Sequence, residues 1–264
     1  MVLQYTQLWK ALLRLDRARH GGYSVFVPFE SIRLITFDCY GTLIDWESGM
    51  LQFLRPLFSK ARAVSDFDLL EQYAEAEVEL EAGPYLPYKQ VLSRTVQEMG
   101  NRLRVSVSAE EGARFAESLK TWEPFPDTVD VLRQLAQHFE LGIISNVDDD
   151  LFAATEKKLK ARFSVIVTAQ QVRSYKPSLR NFQEVLRRSG KSKEQMLHAG
   201  QSIYHDIVPA SSLGIANVWV NRPSIRPGAG AAKAALAEPT HQVQSLAGLV
   251  ELLIPADTRG QAAI

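Results

Sequence analysis

Asp38 with Tyr40 and Thr42, the pair Ser145–Asn146, Lys176, and Gln201–Ser202 with His205 and Asp206 are the side chains whose types and placing suit catalysis. An aspartate can attack as a nucleophile, and a lysine within about 4 Å favours its charged form. Hydroxyls at Thr42 and Ser145 can hold a carboxylate oxygen of the nucleophile or of a substrate. A second carboxylate at Asp206 can orient the lysine or polarise a water, and the residue types leave both roles open. Each cluster follows a short apolar run: Ile32–Phe37 before Asp38, Leu141–Ile144 before Ser145, Phe163–Thr168 upstream of Lys176, and Met196–Ala199 before Gln201. Taken singly, an Asp after a strand or a Lys before a proline is an ordinary loop residue. Together, four polar strand ends in one parallel sheet converge on a single edge, where open α/β sheets bind ligands.

The elements that position them read as strand and helix in alternation. The run to Phe37 suits a strand buried on both faces. Gly41 lets the backbone turn sharply after it. Helical spacing then takes over: Met50, Leu51, Leu54, Leu57 and Phe58; next Leu69, Leu70, Tyr73, Ala76 and Leu80, stopped by Gly83–Pro84; next Tyr88, Val91, Leu92, Thr95, Val96, Met99 and Leu103. Ser108 and Glu111 make a capping box for a fourth helix. From Trp122, with Pro124 and Pro126 as an extended connector, helices and short strands alternate to a last helix through Leu246–Leu253. This pattern predicts βαβ units and a doubly wound, Rossmann-like parallel sheet, with residues 31–47 and 122–254 as the α/β core and 48–121 as an inserted all-helical domain. Pro223–Pro239 reads as loop.

Bulk properties narrow the function. Thirty basic residues balance thirty acidic ones, so no global field argues for nucleic acid or an anionic membrane. The single cysteine, Cys39, rules out an intramolecular disulfide and a multi-thiolate metal site, and fits a cytoplasmic protein. No apolar run approaches the roughly 18–20 residues of a membrane span. Residues 1–30 form a basic amphipathic extension, with Leu8, Leu12, Leu13 and Leu15 among Lys10, Arg14, Arg17 and Arg19. They lack a secretory cleavage pattern; a presequence-like segment, a surface helix and a short upstream extension all fit.

In order, Phe37–Asp38–Cys39–Tyr40–Gly41–Thr42–Leu43, Ser145–Asn146, Tyr175–Lys176–Pro177 and Asp206 resemble the four motifs of the haloacid dehalogenase superfamily, over about residues 31–254. The helical insert resembles the cap of that family. Its phosphatases carry a second Asp two residues after the nucleophile, as acid for the leaving group; here Tyr40 stands there, as in the type II 2-haloacid dehalogenases. A halide leaves as an anion without a proton, whereas a phosphatase lacking that acid should lose perhaps ~100-fold or more. The phosphatases also hold Mg²⁺ with a carboxylate at the position of Gln201, which is neutral. The expectation is therefore no metal and no cofactor.

The resemblance implies an aspartyl-ester route on short 2-haloalkanoic acids, with Asp38, Lys176, Asp206, Thr42 and Ser145 catalytic and Tyr40, Asn146, Gln201, Ser202 and His205 around the substrate. Asn146 is the expected donor to the departing halide or the substrate carboxylate. It also implies a homodimer and a small-molecule substrate as partners. The same ester route on a strained cyclic amino acid, or phosphatase chemistry, are the alternatives. Relatives of this kind carry an Arg early in the cap that gathers halide and carboxylate, and no Arg occupies that position here. Arg55, Lys89 and Arg94 are the cap cations that could supply it, though each reads more simply as a solvated surface charge. Asp148–Asp149–Asp150 reads as an acidic start to the following helix. Cys39 alternates to the face opposite Asp38, which makes it a core thiol.

Overall fold

The structure, a computed structural model, describes residues 29–61, 64–228, 230, 232, 233 and 235–255. The amphipathic extension thus lies almost wholly outside the described residues. A six-stranded sheet, parallel throughout, forms the centre. Its strands are β1 (Leu34–Phe37), β2 (Glu140–Ser145), β3 (Val165–Thr168), β4 (Met196–Gly200), β5 (Ala216–Val220) and β6 (His241–Val243), in the order β3-β2-β1-β4-β5-β6. All four residues of β1 are buried, as expected for a central strand covered on both faces. The strand order reverses beside β1, and the crevice at that switch point opens at the carboxyl ends of β1 and β4. The sequence reading lacked β6. Its three residues are too few for any periodicity to register.

Between β1 and the rest of the sheet stand α1 (Trp46–Leu57), α2 (Asp66–Glu81), α3 (Tyr88–Leu103) and α4 (Ala109–Ser118). Their apolar stripes pack on one another through Leu54, Leu70, Tyr73, Val91, Leu92, Met99 and Phe115. Ser65 with Asp68 and Ser108 with Glu111 close reciprocal capping boxes that start α2 and α4. The core helices are α5 (Thr128–Leu135), α6 (Asp149–Leu159), the single turn α7 (Ala169–Val172), α8 (Leu179–Ser189), α9 (Val208–Ser212) and α10 (Leu246–Leu253). A π-helical turn, Ile203–Ile207, leads into α9 and carries Asp206. Among the described residues no helix is long and apolar enough to cross a membrane.

Candidate active site

Asp38 is the first residue past β1, and its N–H still donates to Ala199 O at 3.0 Å, which ties it to β4. The chain then turns through Gly41, at φ +93°, a left-handed conformation that suits glycine; a Cβ there would come 2.8 Å from the Trp46 ring nitrogen. The turn brings Thr42 back beneath Asp38. Its hydroxyl donates to Asp38 Oδ2 at 2.7 Å and accepts from Gln201 N–H at 2.8 Å.

Lys176 arrives from the loop after β3. Asn146, just past β2, grips its backbone on both sides: Asn146 Oδ1 accepts from Lys176 N–H at 2.7 Å, and Asn146 Nδ2 donates to Lys176 O at 3.2 Å. The ammonium is 1% exposed and donates to Asp38 Oδ1 at 2.8 Å, Asp206 Oδ1 at 2.6 Å and Ile144 O at 2.9 Å. Three donors meet three acceptors.

Asp206 reaches the lysine because β4 ends in Gly200. A Cβ there would lie 2.5 Å from the Asp206 carboxyl. The second Asp206 oxygen accepts from Ser202 N–H at 3.1 Å, and His198 Nε2 lies 3.2 Å from the first. His198 is fully buried on β4 and reaches Thr36 Oγ1 with its other ring nitrogen at 2.9 Å. Sequence reasoning missed His198, which sits within an apolar strand with no motif around it. The parallel register sets Thr36 beside it.

The pocket lies at the carboxyl ends of β1, β2 and β4, with α2 and the start of α3 as its roof. Asp38, Ser145, Lys176, Gln201, His205 and Asp206 all line it. Several side chains differ from expectation in what they hold. Asn146 was expected as a halide or carboxylate donor, yet its amide is spent on the Lys176 backbone. Ser202 lines the pocket, but its hydroxyl accepts from His205 N–H at 3.1 Å and so starts the π-helical turn. Tyr40 offers only its ring, since its hydroxyl lies 2.9 Å from Thr155 Oγ1 on α6. Ser145 Oγ is buried without a hydrogen-bond partner, so it does not hold Asp38. None of Arg55, Lys89 and Arg94 lines the pocket: Arg55 pairs with Asp66, Lys89 pairs with Asp150, and Arg94 is exposed. Cys39 is buried, in line with a core thiol.

Two further pocket residues come from the cap. Glu77 and Glu81 on α2 both line the roof. Glu77 accepts from the Tyr73 and Tyr88 hydroxyls, each at 2.7 Å. The signal for them was present: Tyr73, Glu77 and Glu81 recur at four-residue spacing on the buried face of α2. Glutamates at that spacing blend with the exposed acidic residues of the same helix.

Burial governs the electrostatics. It would lower the Lys176 pKa, but the charges of Asp206 and Asp38 override it and hold the ammonium above its ordinary value. Burial likewise works to raise Asp206, and Lys176 with His198 drives it well below the carboxylate range. Asp38 is raised, contrary to the expected lowering: burial outweighs Lys176, and Asp206 adds to the rise. His205 is brought down to about 4 by burial, which keeps its ring neutral. Among the described residues no group of three or more His, Cys, Asp or Glu side chains is arranged to hold a metal. Asp38 and Asp206 both turn Oδ1 to the same lysine.

A Rossmann-like sheet with this Asp, Thr, Lys and Asp set at its switch point, and a helical insert straight after the first motif, defines a hydrolase class. The family model for haloacid dehalogenase-like hydrolases matches residues 32–214, and the chain belongs to that family. It is 27% identical over 228 residues to an (S)-2-haloacid dehalogenase of Pseudomonas putida, covering 85% of this chain and 98% of the relative. It is 27% identical over 201 residues to a glyceraldehyde 3-phosphate phosphatase of Methanothermobacter thermautotrophicus, covering 72% of this chain and 86% of that one. Its fold superposes with a TM-score of 0.71 on an L-2-haloacid dehalogenase from Xanthobacter autotrophicus with chloropropionic acid covalently bound, at 18% identity, covering 88% and 100% of the two chains.

Proposed function

We propose that this chain hydrolyses a carbon–halogen bond at C2 of a short 2-haloalkanoic acid by double displacement on Asp38. The observation that carries the reading is the setting of Asp38: it lines the pocket with Lys176 on one oxygen and Thr42 on the other, while position 40 offers no acid to a leaving group. An Asp38 oxygen attacks C2, the carbon–halogen bond breaks, and its electron pair leaves as halide. Water then attacks the Asp38 carbonyl carbon. The ester bond to the substrate oxygen breaks, and a 2-hydroxy acid departs.

Lys176 has a part in both steps. It keeps Asp38 ionised before attack and stabilises charge on the same oxygen during hydrolysis. Asp206 holds Lys176, with both its oxygens engaged; this supports the orienting role over activation of water. His205 is the lining group left to take the proton of the attacking water, since its Nε2 is buried without a hydrogen-bond partner and burial keeps the ring neutral. The name of the Pseudomonas putida relative supports the substrate class. The phosphatase relative does not, because a phosphoester oxygen needs the proton that Tyr40 is turned away from giving.

The test is halide release from chloroacetate, bromoacetate, fluoroacetate and 2-chloropropionate, with Asp38→Asn as the blank. Turnover in ¹⁸O-labelled water with enzyme in excess should put label into the peptide containing Asp38. Product without label returns the mechanism to direct attack by water. Phosphate release from an ester panel, abolished by chelator, would replace the reading with a phosphatase.

A further inference from the structure

Two carboxylates enter the pocket from the roof, and the displacement on Asp38 has no use for both. Glu77 is 3% exposed, and the Glu81 side chain 7%. Glu77 has its two tyrosine donors on one oxygen. Glu81 has much less. Asn146 Nδ2 stands 3.4 and 3.5 Å from its oxygens, and His205 Nε2 stands 3.7 Å away. A carboxylate so deeply buried with only long contacts is costly unless something else meets it.

Among the described residues, no free cation meets it. Lys176 is the one lysine among the described lining residues, none of which is an arginine, and its three N–H groups are already taken. The pocket therefore holds four carboxylates, Asp38, Glu77, Glu81 and Asp206, against one ammonium. Burial and the neighbouring Glu77 push the Glu81 carboxyl well up, the direction expected of a carboxyl short of positive partners. A simple haloalkanoate would add one more carboxylate to these four and no cation. Separately, Ser145 Oγ and His205 Nε2 line the same pocket, buried and without hydrogen-bond partners. Buried polar atoms are normally satisfied, so these two mark places kept for a polar ligand.

We propose that Glu81, backed by Glu77, binds a protonated amine carried by the substrate. The substrate class then narrows to short 2-haloalkanoic acids that also bear an amine, zwitterionic at neutral pH. This rests on the Asp38 reading for which carbon reacts; the roof decides which molecule is held there. An alkylammonium brings opposite charge and three donors to the side of the pocket where acceptors are in excess. An ammonium beside Glu81 favours its ionised form, so any proton the raised carboxyl holds is released on binding.

Calorimetry on the full chain with unreactive probes tests this without turnover. The probes are 2-aminopropionate and 3-aminopropionate, each against propionate. At least one amine should bind tenfold or more tightly than propionate, with proton release seen as a heat that depends on the buffer, and Glu81→Gln should erase the preference. If Glu81→Gln does not fold, Glu81→Asp should weaken it. Propionate binding as well as both amines overturns the proposal, as does no binding by any probe. An amine preference that survives at Glu81 overturns it too. Halide release with ¹⁸O at Asp38 but no amine preference fails this inference alone. Amine preference with product but no label fails the ester reading alone.

Discussion

Asp148 caps Tyr88 from sixty residues away. Its Oδ1 accepts from Tyr88 N–H at 2.8 Å and its Oδ2 from Lys89 N–H at 2.9 Å, at the start of α3, a helix whose own N-cap is Pro87 with no side chain to offer. Asp148 precedes α6 but makes no cap bond to it. The acidic run therefore does more than start its own helix: Asp149 accepts from Thr168 Oγ1, and Asp150 pairs with Lys89. One buried carboxylate thus fastens the pocket roof to the end of β2.

Asp148→Ala should lower unfolding stability by about 1–2 kcal/mol, the usual loss for a helix N-cap. It should also raise KM more than it lowers kcat, because it loosens the roof without touching Asp38. Chemical denaturation together with steady-state kinetics reads both effects. Unchanged stability and KM would mean that the two elements dock without this cap.

Replacing Lys176 by Met should abolish turnover and cost about 3–5 kcal/mol, since Asp38 and Asp206 are left buried and facing each other without their cation. The pH profile adds a sign. Asp38 must be ionised to attack, and burial raises its pKa, so activity on the acid side should fall off above the pH of an ordinary aspartate. Lys176 opposes that rise. Any residual activity of the Met variant should therefore show its acid limb at still higher pH.

His205 gives a pH dependence of folding. Its folded pKa of about 4 lies below the unfolded value near 6.5, so the unfolded chain binds the extra proton between them. The contribution is fully present above pH 6.5 and is lost as pH falls towards 4, by roughly 3 kcal/mol at most. Glu77, raised to about 6 by burial, works the other way between pH 4.5 and 6. The clean measurement is the difference between the protein and His205→Asn in denaturant midpoints from pH 4 to 7. That difference should shrink as the pH drops. A constant difference would mean His205 titrates normally.

Tyr40→Phe should leave turnover within a few-fold, because the hydroxyl it removes faces Thr155 and not the pocket. Stability should fall by about 1 kcal/mol for the lost hydrogen bond. A hundredfold loss of kcat would make Tyr40 the proton donor and reopen phosphoester hydrolysis.

Residue types and spacing alone carried the parallel α/β core, the helical insert and the set of Asp38, Thr42, Lys176 and Asp206. Apolar runs ending in a polar residue are local, and the sheet makes their ends neighbours whatever the loops do. Other parts depended on distances between segments far apart in sequence. Asn146 reads as a ligand donor until the loop of Lys176 closes on both ends of its amide. Glu77 and Glu81 look like further surface acids on α2 until the roof seats them over Lys176. The sign of the Asp38 shift likewise needed the burial that only packing supplies, since a neighbouring lysine by itself predicts the opposite. The sequence thus determined the Asp38, Thr42, Lys176 and Asp206 set that meets at the switch point. Tertiary structure decided how many carboxylates share one lysine, because desolvation and charge add up in space and not along the chain.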